Sequence, residues 1–193
     1  MMAFKCYRFV TQDLKSKNGD IQWTPGEWVK HTGELNVCSS GLHACKDPVD
    51  SLSYIYGDRW YQAEARGEIV TEGDKFCASE MRILKEIPIT VIQRFAIDCA
   101  ERTLKNFEDK YPEDKRPREA IEAAKKYLED PTEENQSAAW SAGSAAWSAA
   151  WSAESAARSA AWSAAGSAEK KWQKQHLKQL IKEAVAQAPQ EVK

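Results

Sequence analysis

The most reactive side chains lie in one short segment, which reads CSSGLHAC from Cys38 to Cys45. Two thiols and the imidazole of His43 are ligand types that zinc prefers. Their C-x4-H-x-C spacing lacks the CxxC knuckle, however, and no second pair follows at zinc-finger distance. We therefore predict no metal, no cofactor and no catalytic residue. Cys45 stands beside Lys46 and just before a predicted helix, which could lower the pKa of its thiol, but no base is identifiable beside it.

A second hypothesis for this segment is a ligand site formed by His43, Tyr54 and Glu64. The run from Gly41 to Tyr54 is similar to the segment of ADP-ribosyltransferases in which a strand leads into a helix that lines the NAD site. That resemblance implies that His43 contacts the ligand and that Tyr54 stacks on nicotinamide. Glu64, or Glu68, would then orient the ribose. The alternative is structural: His43 is a half-buried strand residue whose ring bonds a backbone carbonyl.

Other enzyme motifs are missing from the sequence. The upstream His-Gly-Ser/Thr element of ADP-ribosyltransferases has no counterpart, since residues 31–33 read His-Thr-Gly. The sequence also contains no phosphate-binding glycine loop, no dinucleotide glycine pattern and no HExxH motif. Motifs therefore do not favour an enzyme.

Alternating apolar and polar residues, separated by turn signals, predict that residues 1–88 form a β-rich α+β head domain. Asp47 and Pro48 are typical of a helix N-cap and first helical position, so one embedded helix begins there and stops at Gly57. Its predicted buried face comprises Val49, Leu52, Ser53 and Tyr56. The predicted strands cover residues 3–10, 21–23, 28–31, 35–38, 60–70, 75–78 and 81–87.

After Pro88 the apolar residues recur at helical spacing. Two connecting helices are predicted at 90–107 and 117–129. Asp130 is a predicted N-cap followed by proline, with a glutamate three residues later that completes a capping box, so a third helix begins there. We therefore expect three parts: the head at 1–88, the connecting helices at 89–130, and one long helix at 131–188.

From 137 to 168 the predicted long helix consists almost entirely of Ser, Ala and Trp. Its serines recur at gaps of four and three, which gives an undecad repeat of about 3.67 residues per turn and favours a nearly straight helix. Such a stripe of tryptophans needs a cover, because each ring offers a large apolar surface. We predict that the stripe mediates homo-oligomerisation or partner binding, with an intramolecular core as the alternative. Its residues are Trp140, Trp147, Trp151, Arg158 and Trp162.

The N-terminal part resembles a domain of unknown function that is common in phage and prophage genomes. The resemblance rests on the strand FKCYRF at 4–9, the PGEW turn at 25–28, and the block CSSGLHACKDP at 38–48, which fits a C-x(2)-G-[LF]-H-[AF]-C-x-[DN]-P signature. Several relatives also carry C-terminal Ser-Ala-Ala-x repeats. Where relatives have a Cys-Arg-Gly-Phe segment, this chain reads DLKS at 13–16. The resemblance implies a viral origin and supplies no catalytic residue.

Composition and charge indicate which classes of partner the protein is expected to bind. The net charge of −2 gives no electrostatic reason to bind nucleic acid or an anionic membrane. No segment has the character of a signal peptide or the length of a transmembrane span, so we expect the protein in the host cytoplasm. The five cysteines are scattered and odd in number, which favours reduced thiols.

These observations predict a non-enzymatic phage or prophage accessory protein that acts through protein–protein contacts, such as an inhibitor of a host defence system (anti-CRISPR or similar). A homo-oligomer and a host protein target are the expected partners. The alternative function is a nucleotide-binding or ADP-ribosyltransferase-like head carried on an oligomerising helix.

Overall fold

The computed structural model describes residues 2–17, 21–141 and 162–187, and in the last range it describes side chains from residue 168 onward. The fold is α+β, as predicted: an antiparallel sheet is followed by helices. The elements are β1 Phe4–Val10, β2 Val29–Lys30, β3 Leu42–Cys45, α1 Pro48–Ser51 with a 3-10 turn Leu52–Tyr54, β4 Arg59–Glu72, β5 Lys75–Ile87, α2 Ile89–Lys110, α3 Arg116–Glu129, α4 at 133–141, and α5 Trp162–Gln187.

The five strands lie in the order β2-β5-β3-β1-β4, and every neighbouring pair is antiparallel. Strand β4 also pairs with β5, so the sheet closes on itself. The two strands predicted at 75–78 and 81–87 form the single strand β5, which joins β4 through a turn at Gly73 and Asp74. Closure gives the sheet an inner face that is shielded from water.

A bulge bends β4 near Gly67, where the pairing with β5 shifts register between Arg66 and Ile69. Gly67 has a φ of +84°, and a Cβ at this position would lie 2.2 Å from the Ser79 hydroxyl oxygen. That hydroxyl accepts a hydrogen bond from the Glu68 amide at 2.9 Å. Glycine is therefore required here for both backbone angle and space.

The inner face of the sheet forms the main hydrophobic core. Alternate residues of each strand point inward, as the period of two requires. Large buried side chains alternate with alanines that let the strands curve around them. The buried members are Cys6, Val10, Trp23, Leu42, Ala44, Tyr61, Ala63, Ala65, Phe76, Ala78, Met81 and Ile83.

Between β1 and β3 the sequence predicted more strand than the structure contains. Residues 21–23 contribute only one isolated bridge, between Lys15 and Gln22, and the predicted strand 28–31 is reduced to β2. The cause is the turn at Pro25 and Gly26. Within it the Gly26 amide donates to the Ile83 carbonyl at 2.8 Å, and the turn prevents the flanking residues from pairing as a regular strand.

The predicted strand 35–38 is a tight turn instead. The Asn36 carbonyl accepts the amides of Ser39 and Ser40, and the Asn36 amide bonds back to Ser40 at 2.9 Å. Cys38 lies inside this turn with a φ of +78°, a left-handed conformation that costs energy for a residue with a Cβ. Local backbone bonding therefore replaces the expected strand.

Helix α1 starts as predicted but is shorter. Asp47 is its N-cap, and the carboxylate accepts the Val49 amide at 3.1 Å. The buried residues are Pro48 and Ser51, whereas Val49 and Leu52 are only partly buried. The Ser51 hydroxyl donates to the Pro48 carbonyl at 2.7 Å and accepts the Trp60 indole N–H at 3.1 Å, which anchors this single turn to β4.

The chain divides into two compact units. The first, called the β unit below, comprises residues 1–89 together with the chain from 174 onward. The second, the helical unit, comprises residues 90–173. In the helical unit α2 and α3 share a small core of Ile97, Leu104 and Ile121, with Ala124 and Leu128 against it.

Helix α4 begins at residue 133, after a different cap from the predicted one. The Thr132 hydroxyl oxygen accepts the Asn135 amide at 3.3 Å. Asp130 instead ends α3, where its amide bonds the Lys126 carbonyl. The Asn135 side chain, which is buried, donates to the Asp130 carbonyl at 2.8 Å.

The long repeat helix can be compared with the structure only at its two ends. Residues 133–141 and 162–187 are helical, whereas residues 142–161 lie outside the described part of the chain. Continuity of the helix from 131 to 188 therefore stays a prediction. In the ranges that the structure describes, no helix combines the length and apolar character needed to cross a bilayer.

Candidate functional site

The β unit contains a cavity of about 260 Å³ beside the signature segment. It is formed by β1, the turn at 36–40, β3, the 3-10 turn and the start of β5. Its polar lining includes three cations, an imidazole, two phenols and two thiols. The charged and aromatic members used below are Arg8, Lys17, His43, Tyr54, Tyr56 and Lys75, and the thiols are those of Cys38 and Cys45.

His43 lies on β3, opposite Cys77 of β5, and is half-buried. Its Nε2 accepts a hydrogen bond from the Cys38 amide at 3.0 Å, so the ring holds the left-handed turn in place. This partner is a backbone N–H, and the ring also has backbone hydrogen bonds to Asn36 and Gly41 that raise its pKa, as expected for the carbonyl contact of the structural alternative. Burial is the main cause that lowers the pKa of His43, and the charges of Arg8 and Lys75 lower it further. The ring is therefore neutral at pH 7.

Arg8 points to the inner side of the sheet. Its guanidinium carbon lies 4.1 Å from the centre of the Trp23 ring, and one terminal nitrogen donates to the Ser16 hydroxyl at 3.1 Å. A second terminal nitrogen contacts the Met81 sulfur at 3.6 Å. Its Nε is buried and has no partner among the described residues. Burial lowers the pKa of Arg8 to about 10, so the group still carries its charge at neutral pH.

Lys75 stands at the first position of β5. Its ammonium contacts the Cys38 sulfur at 2.7 Å, which raises the pKa of Lys75, and lies 5.0 Å from the Tyr54 ring centre. The Tyr54 hydroxyl donates to Asp74 at 2.6 Å, and this bond is the main reason that the pKa of Tyr54 rises to about 12. Both side chains are thus held in fixed positions at the cavity wall.

The three predicted ligand residues are not all together. His43 and Tyr54 both line the cavity, whereas Glu64 is not among its lining residues. Glu64 pairs with Arg82 at 2.7 Å. Glu68 likewise is not among the lining residues, and its amide is tied to Ser79. Their roles toward a ligand stay predictions.

The pKa of the Cys45 thiol is shifted in the opposite direction from the one predicted. Burial is the main cause that raises the pKa of Cys45 to about 12, with nearby aspartates adding to the effect. The predicted lowering is therefore wrong, because Cys45 is buried and the carboxylates of Asp74, Asp50 and Asp47 act on its thiol. Burial also raises the pKa of Cys6 to about 12. Within the described ranges, no group of three His, Cys, Asp or Glu side chains is placed to hold a metal ion.

The predicted interaction stripe can be assessed at one residue. Trp140 lies on α4 with 80% of its surface exposed. Trp147, Trp151 and Arg158 lie outside the described residues, and Trp162 begins α5 without a described side chain. An exposed tryptophan is unusual enough on a protein surface to mark a candidate contact.

Sequence reasoning missed the basic character of the cavity. Arg8 and Lys75 are far apart in the sequence of the β unit; Arg8 lies in the FKCYRF strand of the resemblance, which assigns it no role, and Lys75 belongs to no motif. The one signal in the sequence is that Arg8 occupies an inward position in the alternation of β1, between Cys6 and Val10. A charged residue in such a position is a candidate for function.

Comparison with known families gives two matches, each over just under half of the chain. Residues 4–94 match a model described as a domain of unknown function (DUF7666), and residues 82–171 match one described as "Imm-5 like putative immunity protein". The second was not anticipated from the sequence. No curated protein and no solved structure gives a significant match. The chain is therefore similar to an uncharacterised domain in its first half and to immunity proteins in its second.

Proposed function

We propose that this protein is a non-enzymatic phage or prophage protein that confers protection by binding a partner protein stoichiometrically, with the helical unit as its binding part. The partner we infer is an effector protein of a host defence system. The β unit would then have no part in binding the effector and would contain a separate ligand site.

The observation that carries this proposal is the agreement between a family match and a structural boundary. The immunity-protein match spans 82–171, and the helical unit spans 90–173. The two divisions come from different properties of the chain, namely residue preferences and spatial packing. Their agreement supports a unit that has its own role.

The described surface of the helical unit supports protein binding. Helices α2 and α3 are joined by exposed ion pairs between Arg118 and Glu108 at 2.6 Å and between Lys125 and Glu101 at 2.5 Å. Trp140 of α4 adds a large exposed ring. Tryptophan dominates the binding energy of many interfaces. We therefore expect Trp140 to contribute to the contact.

The test asks whether this protein protects phage from the defence of its host, in bacterial strains that each carry one defence system. The full chain is expressed in each strain, and phage plaque formation is measured. We expect plaque formation to be restored against one system. The isolated effector of that system should then be inhibited at an equimolar ratio, because a stoichiometric inhibitor occupies one partner per site.

Two variants sharpen this test. Trp140→Ala should weaken binding of the effector by roughly 30-fold, the factor that corresponds to a typical hot spot. Tyr56→Ala, which removes another exposed ring but lies in the β unit, is the matched control and should bind normally. Inhibition of many effector molecules by one copy of this protein would contradict the proposal, since it requires turnover.

Self-association through the repeat helix belongs to the same proposal. The sequence supports it because a tryptophan stripe needs a cover. Light scattering should give a mass above the 21.7 kDa of one chain, and Trp147→Ala with Trp151→Ala should lower it. A strictly monomeric protein at tens of micromolar, roughly the range in which weak interfaces fill, would refute this part alone.

The alternative of an ADP-ribosyltransferase receives less support. His43 and Tyr54 do share a cavity, which favours ligand binding. No carboxylate is among the described residues that line it, however, and Glu64 is engaged by Arg82. A group that orients the ribose is thus not in place, and we do not propose ADP-ribosyl transfer.

A further inference from the structure

We propose that the cavity of the β unit is a binding site for a small phosphomonoester, with its phosphate between Arg8 and Lys75 and a planar group against Tyr56. The site is separate from the protein-binding role of the helical unit, so either proposal can fail without the other.

The first argument is the charge of the cavity. Arg8, Lys17 and Lys75 line it, and no aspartate or glutamate is among its described lining residues. The charges of Arg8 and Lys75 both lower the pKa of His43, which lines the same cavity. A concave site whose charged lining residues are cations attracts anionic ligands, although the Asp74 carboxylate lies beside it and accepts the Tyr54 hydroxyl.

The second argument is a contrast among the arginines of the β unit. Three of its four arginines bind carboxylates, since Arg59 pairs with Glu86, Arg66 with Glu80, and Arg82 with Glu64. Arg8 has no ion pair among the described residues, although its Nε is buried. Enclosing a cation without a counter-ion is unfavourable. An anionic ligand would supply the missing partner.

The third argument is the fixed geometry of Arg8. Stacking on Trp23 and the bond to Ser16 hold the plane of the guanidinium. A planar fork of N–H donors suits the oxygens of a phosphate. Lys75 adds a point charge, and its present contact is the Cys38 sulfur, a weaker acceptor than a phosphate oxygen. The cations are thus positioned before a ligand arrives.

The fourth argument concerns the rest of the ligand. Tyr56 lines the cavity and exposes 53% of its surface. Its ring lies 6.2 Å from that of Tyr54, and the Lys17 ammonium lies 5.8 Å from its centre. An exposed ring at a cavity mouth can stack on a planar group.

Size selects the class of ligand. The cavity of about 260 Å³ falls below the roughly 300–1,000 Å³ of sites for drug-sized molecules. A dinucleotide such as NAD is too large for it. A phosphomonoester is a dianion near neutral pH, because its second pKa is about 6, and two flanking cations match that charge.

The experiment is calorimetric titration of the full chain with adenosine 5′-monophosphate, with inorganic phosphate and NAD as comparison probes. We expect the mononucleotide to bind, phosphate to bind more weakly, and NAD not to bind. Lys75→Gln should weaken mononucleotide binding by about tenfold or more, the effect of losing a charged hydrogen bond. Lys85→Gln removes an exposed lysine of the same strand that does not line the cavity, and it should bind normally.

Arg8→Gln is a second variant, which should abolish binding if it folds. Because Arg8 packs on Trp23, the circular dichroism spectrum and melting temperature of this variant must be checked. Tyr56→Ala is exposed and should weaken the mononucleotide while leaving phosphate unchanged. The proposal is overturned if the mononucleotide does not bind, if it gains nothing over phosphate, or if Lys75→Gln and Lys85→Gln behave alike.

Discussion

The two units of this protein are stabilised in different ways. In the β unit, strands far apart in sequence enclose large side chains such as Trp23, Trp60 and Phe76, which are at most 1% exposed. In the helical unit the shared core consists of Ile97, Leu104 and Ile121, each 7–8% exposed. Ion pairs between neighbouring helices add to it. Burial therefore contributes more to the stability of the β unit than to that of the described part of the helical unit, whose exposed ion pairs add little.

The largest expected difference between the units comes from core truncation. Phe76→Ala should lower the free energy of unfolding of the β unit by about 3–5 kcal/mol, because it leaves a closed cavity. Leu104→Ala should lower that of the helical unit by only about 2 kcal/mol, since its site can collapse and admit water. Hydrogen exchange resolved by residue measures both. Equal losses would remove the contrast between the two cores.

A smaller effect is expected at Asp47, which has two roles in the β unit. One carboxylate oxygen caps α1, and the other bonds Lys178 at 2.7 Å. Asp47→Asn should keep the cap and lose the ion pair, whereas Asp47→Ala loses both. Ala should therefore be less stable than Asn by about 1 kcal/mol in urea unfolding. If the two variants are equally stable, the cap contributes nothing.

A smaller effect still is expected from the ion pairs of the helical unit. Arg118→Gln should be only slightly destabilising, since exposed pairs contribute little. Lys126→Gln is the control, an exposed lysine of the same helix with no ion pair among the described residues. Added salt should reduce the difference between the two variants. A difference that persists in high salt would mean that Arg118 acts through packing.

The smallest effect concerns pH and is confined to the β unit. Because the pKa of His43 is lowered in the folded state, the unfolded chain binds more protons as pH falls below about 6.5. The stability that neutral His43 contributes is thus present above that pH and is lost below it. Thermal unfolding between pH 7.5 and pH 5.5 should show this loss, and His43→Asn should abolish it. An unchanged pH profile in the variant would exclude His43 as the cause.

Sequence patterns were most informative where structure is local. Strand β1 and helices α2 and α3 follow from periodicity and cap residues, and Asp47 begins α1 as expected. The stretch from 21 to 40 was predicted with too many strands because its backbone bonds are set by distant carbonyls and by a left-handed residue. No local pattern reveals such partners.

The cavity could be predicted only in part for the same reason. His43 and Tyr54 were identified because they sit in one continuous segment. Arg8 and Lys75 were not, because only strand pairing brings the first and the last strands of the sheet to one place. The sequence likewise assigns the stretch from 174 to 187 only to the predicted helix at 131–188, and the structure shows in addition that this stretch groups with the β unit.

That grouping affects how the β unit folds while the protein is being synthesised. The β unit needs residues on both sides of the helical unit, so the ribosome delivers it in two pieces. Translation of residues 90–173 takes roughly 4 to 17 s at usual rates. During that interval the nascent β unit lacks the helical turn that carries the buried Leu177 and Ile181, and Asp47 lacks the Lys178 ammonium. A chaperone that acts on this protein therefore has several seconds in which to bind the incompletely folded β unit.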